Sequence, residues 1–150
     1  MAHAQIFTVR APAVPLFTIS PYVSWWLPCD LPTECFPEHA QGDKWAGMTA
    51  LVRIDEENFR LLGPECTADV PPLQHVGTYS LLSMTRTIFS FAGRGVQLNM
   101  TFALPWFIDS PDTFQPYTYV IFDAVSTDNK IHKVREGSER WKTSQEVYAK

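Results

Sequence analysis

The sequence predicts an all-β chain: a small N-terminal β unit followed by the opening strands of a β-sandwich that is incomplete within the 150 residues. Three observations predict it. Twelve prolines against seven glycines, with helix formers not dominant, favour many short extended segments over a helical bundle. Apolar and polar side chains alternate with a period of two in several segments, as half-buried strands require. Turn signals separate those segments at short, regular spacing. With 45% apolar and only 19% charged residues, the chain has the material for a real core.

The elements follow in order. Residues 11–20 are proline-bounded; Pro12 and Pro15 each remove a backbone donor, so this segment reads as an edge strand or a strap across a core. Residues 22–27 form a short aromatic strand that Pro28 ends. Residues 28–43 are a long irregular loop, rich in Pro, Glu and Asp and carrying two cysteines. Residues 48–54 alternate Met48, Ala50, Val52 and Ile54 against Thr49 and Arg53, with Leu51 as the apolar exception. Asp55-Glu56-Glu57-Asn58 reads as a turn returning into residues 59–62.

Gly63-Pro64 and Pro71-Pro72 bracket a polar connector, which divides the chain into a first unit at 1–70 and a sandwich portion at 71–134. The sandwich portion opens with strands over 73–82, 85–91 and 96–104, the last two joined at Gly93-Arg94-Gly95. Residues 105–116 form a loop. Residues 117–125 are apolar on both faces and predict a central strand between layers. Asp128-Asn129 marks a hairpin turn into a return strand at 130–134, and residues 135–150 change to a polar, divergent or truncated tail.

Composition narrows the partners. A formal net charge of −4 without a basic stripe argues against nucleic acid. No apolar run reaches the length of a membrane-spanning helix. Met1-Ala2-His3-Ala4-Gln5 lacks the charged start and apolar stretch of a secretory leader. One tripeptide speaks for the secretory pathway all the same: Asn99-Met100-Thr101 is an N-glycosylation acceptor, and alternation places Asn99 on the polar face of its strand. The alternative is a chance tripeptide.

Candidate chemistry is sparse. Cys35 and His39 put a thiol and an imidazole on one loop, and folding could join Cys66 to His75, but neither pair brings a base and an oxyanion site. A disulfide between Cys29 and Cys35, or free cysteines, accounts for the loop thiols; a Cys₃His metal set of Cys29, Cys35, His39 and Cys66 lacks the paired spacing of such sites. No catalytic residue, cofactor site or metal site is therefore assigned. Asp55 suits a turn cap, whereas Asp109 and Asp112 lie in a loop. Asp123, on the strand expected to be buried, would need a partner such as Arg53 or Arg86. Trp25, Trp26, Trp45 and Trp106 are candidate interface aromatics; stacking on sugars is the competing use of such rings. Trp25 and Trp26, adjacent on a strand, should point to opposite faces, one buried and one outward.

A series of longer motifs carries a resemblance. Arg10-Ala11-Pro12-Ala13-Val14-Pro15-Leu16 is followed by Ser20-Pro21-Tyr22-Val23-Ser24-Trp25-Trp26-Leu27-Pro28. Then come Lys44-Trp45-Ala46-Gly47-Met48-Thr49-Ala50-Leu51-Val52-Arg53-Ile54-Asp55 and Thr85-Arg86-Thr87-Ile88-Phe89. Val96-Gln97-Leu98-Asn99-Met100-Thr101-Phe102 and Pro116-Tyr117-Thr118-Tyr119-Val120 complete the order. Together they resemble the N-terminal β-rich region of the secreted glutaminases of fungi and bacteria, the glutaminase A-like family. The resemblance implies a non-catalytic β-sandwich region of an amidohydrolase that converts glutamine to glutamate and ammonia. It also implies an extracellular setting and, as partner, a C-terminal helical catalytic domain beyond this chain. Family members commonly carry Asp-Gly at the turn where Asp55-Glu56 stands here, which puts the local register in question, and apart from Trp141 the tail does not match. The competing reading is a carbohydrate-binding or accessory module of a glycoside hydrolase, or an inactive fragment.

Overall fold

The computed structural model describes residues 12–39, 47–65, 69–79, 85–105, 117–137 and 145–149. The chain is all-β, and its strands are β1 (Val14–Ser20), β2 (Val23–Leu27), β3 (Glu38–His39), β4 (Ala50–Ile54), β5 (Glu57–Leu62), β6 (Gln74–Tyr79), β7 (Arg86–Gly93), β8 (Val96–Ala103), β9 (Tyr119–Ser126), β10 (His132–Gly137) and β11 (Gln145–Ala149). They form three antiparallel sheets: a three-stranded sheet β1-β2-β3 and two four-stranded sheets, β11-β10-β4-β5 and β6-β7-β8-β9.

One core joins all three sheets. Val52, Ile54, Phe59, Leu61 and Val134 come from one four-stranded sheet, Phe89, Phe91, Leu98, Met100 and Phe102 from the other, and Leu16 and Leu27 from the small sheet. The period-two alternation of β8 is the reason: Val96, Leu98, Met100 and Phe102 all point inward and are buried. Phe102 meets Phe89 edge to face, with ring centroids 6.1 Å apart. The small sheet is tied to β7 by Thr87, whose hydroxyl donates to the Pro15 carbonyl at 2.6 Å. The edge strand expected over 11–20 is β1, with Leu16 as its buried anchor.

Besides placing β3 (Glu38–His39), paired with β2, inside the span expected as an irregular loop at 28–43, the structure departs from expectation at four places. First, β9 is an edge strand, not a central one; Tyr119, Val120, Ile121 and Val125 are exposed along it. Asp123 is exposed as well, so it needs no buried partner, and Arg53 pairs instead with Glu56. Second, β9 and β10 are not hairpin partners: the chain leaves one four-stranded sheet at Ser126 and enters the other at His132, where β10 lies between β4 and β11. That sheet crosses the boundary expected near residues 63–72. Third, the stretch expected as a divergent or truncated tail holds the end of β10 (to Gly137) and β11 (Gln145–Ala149). Fourth, Trp25 and Trp26 do not divide into one buried and one outward ring; both are half-buried. Trp25 packs on the core and meets the His39 ring edge-on, while the Trp26 Nε1 is hidden without a partner among the described residues.

The β4–β5 turn is tight despite lacking glycine. Only Asp55 and Glu56 separate the strands, both with positive φ, 46° and 74°, the primed geometry that matches strand twist. Asparagine and aspartate tolerate that region; glutamate does so at a cost of about 1–2 kcal/mol. A bond from the Asp55 N–H to the Lys133 carbonyl at 3.1 Å holds the turn in place, with the exposed Arg53–Glu56 ion pair beside it. Glu56→Gly should relieve the strain and stabilise the chain by about 0.5–1 kcal/mol. A urea midpoint that falls in this variant would show that the ion pair outweighs the strain.

Candidate functional site

The densest group of interacting ionisable side chains among the described residues lies where three turns meet. Asp55 belongs to the β4–β5 turn, Gly95 to the β7–β8 turn, and Asp128 to the β9–β10 connection. His132, the first residue of β10, stands between them and is 6% exposed. Its Nδ1 lies 2.5 Å from Asp55 Oδ2, and its Nε2 lies 2.8 Å from Asp128 Oδ1. A carboxylate offers only acceptors, so both ring nitrogens carry protons and the ring is an imidazolium.

Each carboxylate is built for the role. Asp55 Oδ1 accepts the Lys133 N–H at 2.9 Å, while Oδ2 takes the ring. Asp128 Oδ1 accepts from the Ser126 hydroxyl at 3.1 Å and the Lys130 N–H at 3.0 Å, a local turn closed by its own side chain. Lys130 Nζ lies 3.5 Å from Asp128 Oδ2 and balances the second negative charge. The Thr127 N–H donates to the Gly95 carbonyl at 2.7 Å, joining the third turn. Gly95 has φ 75°, and a β-carbon there would sit 2.7 Å from Asp128 Oδ2 and 3.0 Å from His132 Nε2. Only glycine fits over the cluster.

The electrostatics follow from these bonds. Hydrogen bonds to Asp55, then to Asp128, raise the His132 pKa above its ordinary 6.5 against the opposing effect of burial. The bond from His132, with the Lys133 amide second, lowers the Asp55 carboxyl below its ordinary 3.8. His132 and then the Lys130 amide push Asp128 further down. Chemically the arrangement is a clasp. Both ring nitrogens are occupied and the ring is covered, so His132 has no free lone pair with which to take a proton from a substrate.

The residues singled out from the sequence fall elsewhere. Cys29 and Cys35 form a disulfide with Cα atoms 6.1 Å apart, which removes both as thiolate nucleophiles or metal ligands. His39 Nε2 donates to the Tyr22 carbonyl at 3.0 Å. His75 packs against Phe89 and Phe91, and burial lowers its pKa. Asn99 lies on the outer face of β8, half-buried, with Ser90 Oγ donating to its Oδ1 at 2.7 Å. Trp45, Trp106, Trp141, Cys66, Asp109 and Asp112 lie outside the described residues. Asp55 is a turn residue as expected, but its partner His132 is 77 positions away and was not singled out. The available signal was the Asp128–His132 spacing beside a turn. Comparison of the chain with protein-family models, curated proteins and solved structures gave no match.

The sign of the pH dependence is fixed by the shifts. A raised histidine contributes stability fully below its unfolded pKa near 6.5 and loses it as pH rises through the folded value. The two lowered aspartates contribute above 3.8 and lose their contribution as pH falls through their folded values. We expect a plateau of melting temperature between those limits, a decline on the alkaline side, and loss of that alkaline limb in His132→Gln. An unchanged alkaline limb in the variant would remove His132 from the account. Separately, Gly95→Ala should cost more than about 1 kcal/mol, because alanine resists positive φ; urea denaturation at pH 6 measures it.

Proposed function

We propose that this chain is the non-catalytic β-sandwich region of a glutaminase-like amidohydrolase, working in the secretory or extracellular space. The parent reaction, hydrolysis of the glutamine side-chain amide, belongs in this reading to a C-terminal helical domain, the chain's partner. The observation that carries the non-catalytic part is the His132 clasp: the imidazole that meets two carboxylates has both nitrogens bonded and its ring buried. Support for the parentage is the order of motifs, described portions of which fall on β1, β2, β4, β7, β8 and β9. Support for the compartment is the Cys29–Cys35 disulfide, since such bonds persist where thiols are not kept reduced.

A specific feature favours a second reading. Tyr117 and Tyr119 expose adjacent rings with centroids 5.6 Å apart, the kind of aromatic surface on which sugars stack. Their planes cross at 79°, however, whereas a stacking platform offers parallel ring faces. The accessory sugar-binding module therefore ranks second.

Purified chain should release ammonia from glutamine and asparagine at background rate, and its intrinsic fluorescence should not respond to a panel of soluble oligosaccharides. Turnover that disappears in His75→Gln or His132→Gln would overturn the non-catalytic reading. A saturable fluorescence change abolished by Tyr119→Ala would favour the sugar-binding module.

A further inference from the structure

We propose that Asn99 carries an N-linked glycan, and that its first sugars cover the exposed apolar side of β9. In β8, Leu98 and Met100 face the core and are fully buried, so Asn99 faces outward. The cross-strand row through it reads Gly77, Ser90, Asn99, Asp123. Gly77 has no side chain and Ser90 a short, buried one, so no bulky side chain stands beside Asn99 at those two positions. The exposed Asp123 is the neighbour on the other flank.

The amide itself is oriented for attachment. Ser90 Oγ holds Oδ1 at 2.7 Å, while Nδ2, the atom that bears a glycan, has no hydrogen bond to another described residue. Thr101 completes the acceptor tripeptide; because its side chain is buried in the folded sheet, the proposal requires transfer before β8 is paired. A polyprenyl-diphosphate-linked oligosaccharide is the donor class. A bond forms between Nδ2 and the anomeric carbon, the bond from that carbon to the diphosphate oxygen breaks, and Nδ2 loses a proton as the diphosphate departs. The Cys29–Cys35 disulfide supports the oxidising compartment that the proposal needs, since such bonds persist where thiols are not kept reduced.

The glycan also accounts for an exposed surface. Ile121 and Val125, 43% and 55% exposed, are the diagonal neighbours of Asn99 on the same face. Diagonal pairs lie about 7–8 Å apart, within the reach of a first sugar ring lying along the strand. The sugar's apolar face would cover both aliphatic side chains and its hydroxyls would face water. It would also obstruct strand addition at an edge that carries a single charge, Asp123. This inference does not depend on the glutaminase parentage.

The test is to express the full chain behind an added leader in a eukaryotic secretory host. Treatment with an endoglycosidase specific for N-glycans should shift the wild type and Thr101→Ser by one glycan, and leave Asn99→Gln and Thr101→Val unshifted. Enzymatic removal of the glycan from folded protein should then raise apolar-dye binding several-fold, and Ile121→Ser with Val125→Ser should abolish the rise. A folded, disulfide-bonded, secreted chain without modification at Asn99 would overturn the proposal. Dye binding that is unchanged on deglycosylation would overturn the covering role.

Discussion

A buried imidazolium between two carboxylates sets the relation between the two four-stranded sheets. Hydrophobic burial supplies most of the driving force for folding, but it is non-directional and does not fix how one sheet is registered on another. The His132 clasp does, because it joins turns from both sheets at one end of the core. Losing one carboxylate would leave a covered ring N–H without an acceptor, which is why the cluster is better seen as a unit than as two ion pairs. Gly95 belongs to that unit although it bears no charge: its missing side chain is the space the Asp128 carboxylate occupies.

The clasp also sorts the remaining surface ion pairs. Arg53–Glu56 and Arg94–Glu57 join exposed side chains, and exposed pairs contribute little in water. Their place in the fold is informative all the same. Arg94 in the β7–β8 turn reaches Glu57 at the start of β5, so the same end of the molecule is held a second time from outside. A covered bond network with a solvated pair beside it explains how a turn with two non-glycine residues at positive φ is tolerated.

How much of this was legible in the sequence differs from element to element. Alternation placed Ala50, Val52 and Ile54 of β4 and the four inward residues of β8 on the core, because a half-buried strand writes its burial into a period of two. Gly93-Arg94-Gly95 gave the β7–β8 turn because positive φ has a residue signature. The strand β9 reads as central because both its faces are apolar, yet apolarity reports what a side chain tolerates and not how many strands flank it. Asp128-Asn129 reads as a hairpin because turn chemistry fixes a reversal of direction but not the identity of the next neighbour. That neighbour is β4, far back in the chain. His132 was missed for the same reason: nothing near it in sequence announces Asp55. The disulfide partners were within one loop, where short separation left few alternatives.

The crossing of the chain from β9 to β10 has a consequence for how the protein is made. Val52 and Ile54 sit on a strand whose second neighbour, β10, is not synthesised until 77 residues separate Asp55 from His132. At about 5–20 residues per second, the β4–β5 hairpin waits roughly 4–15 s with one edge open. Loop-closure entropy grows slowly with length, so the delay is a matter of time more than of free energy. During that interval the growing chain is a hairpin seeking a strand, and any nearby extended segment is a competitor for the place that β10 later takes. Vectorial synthesis thus leaves the β4 edge available to other extended segments until β10 emerges.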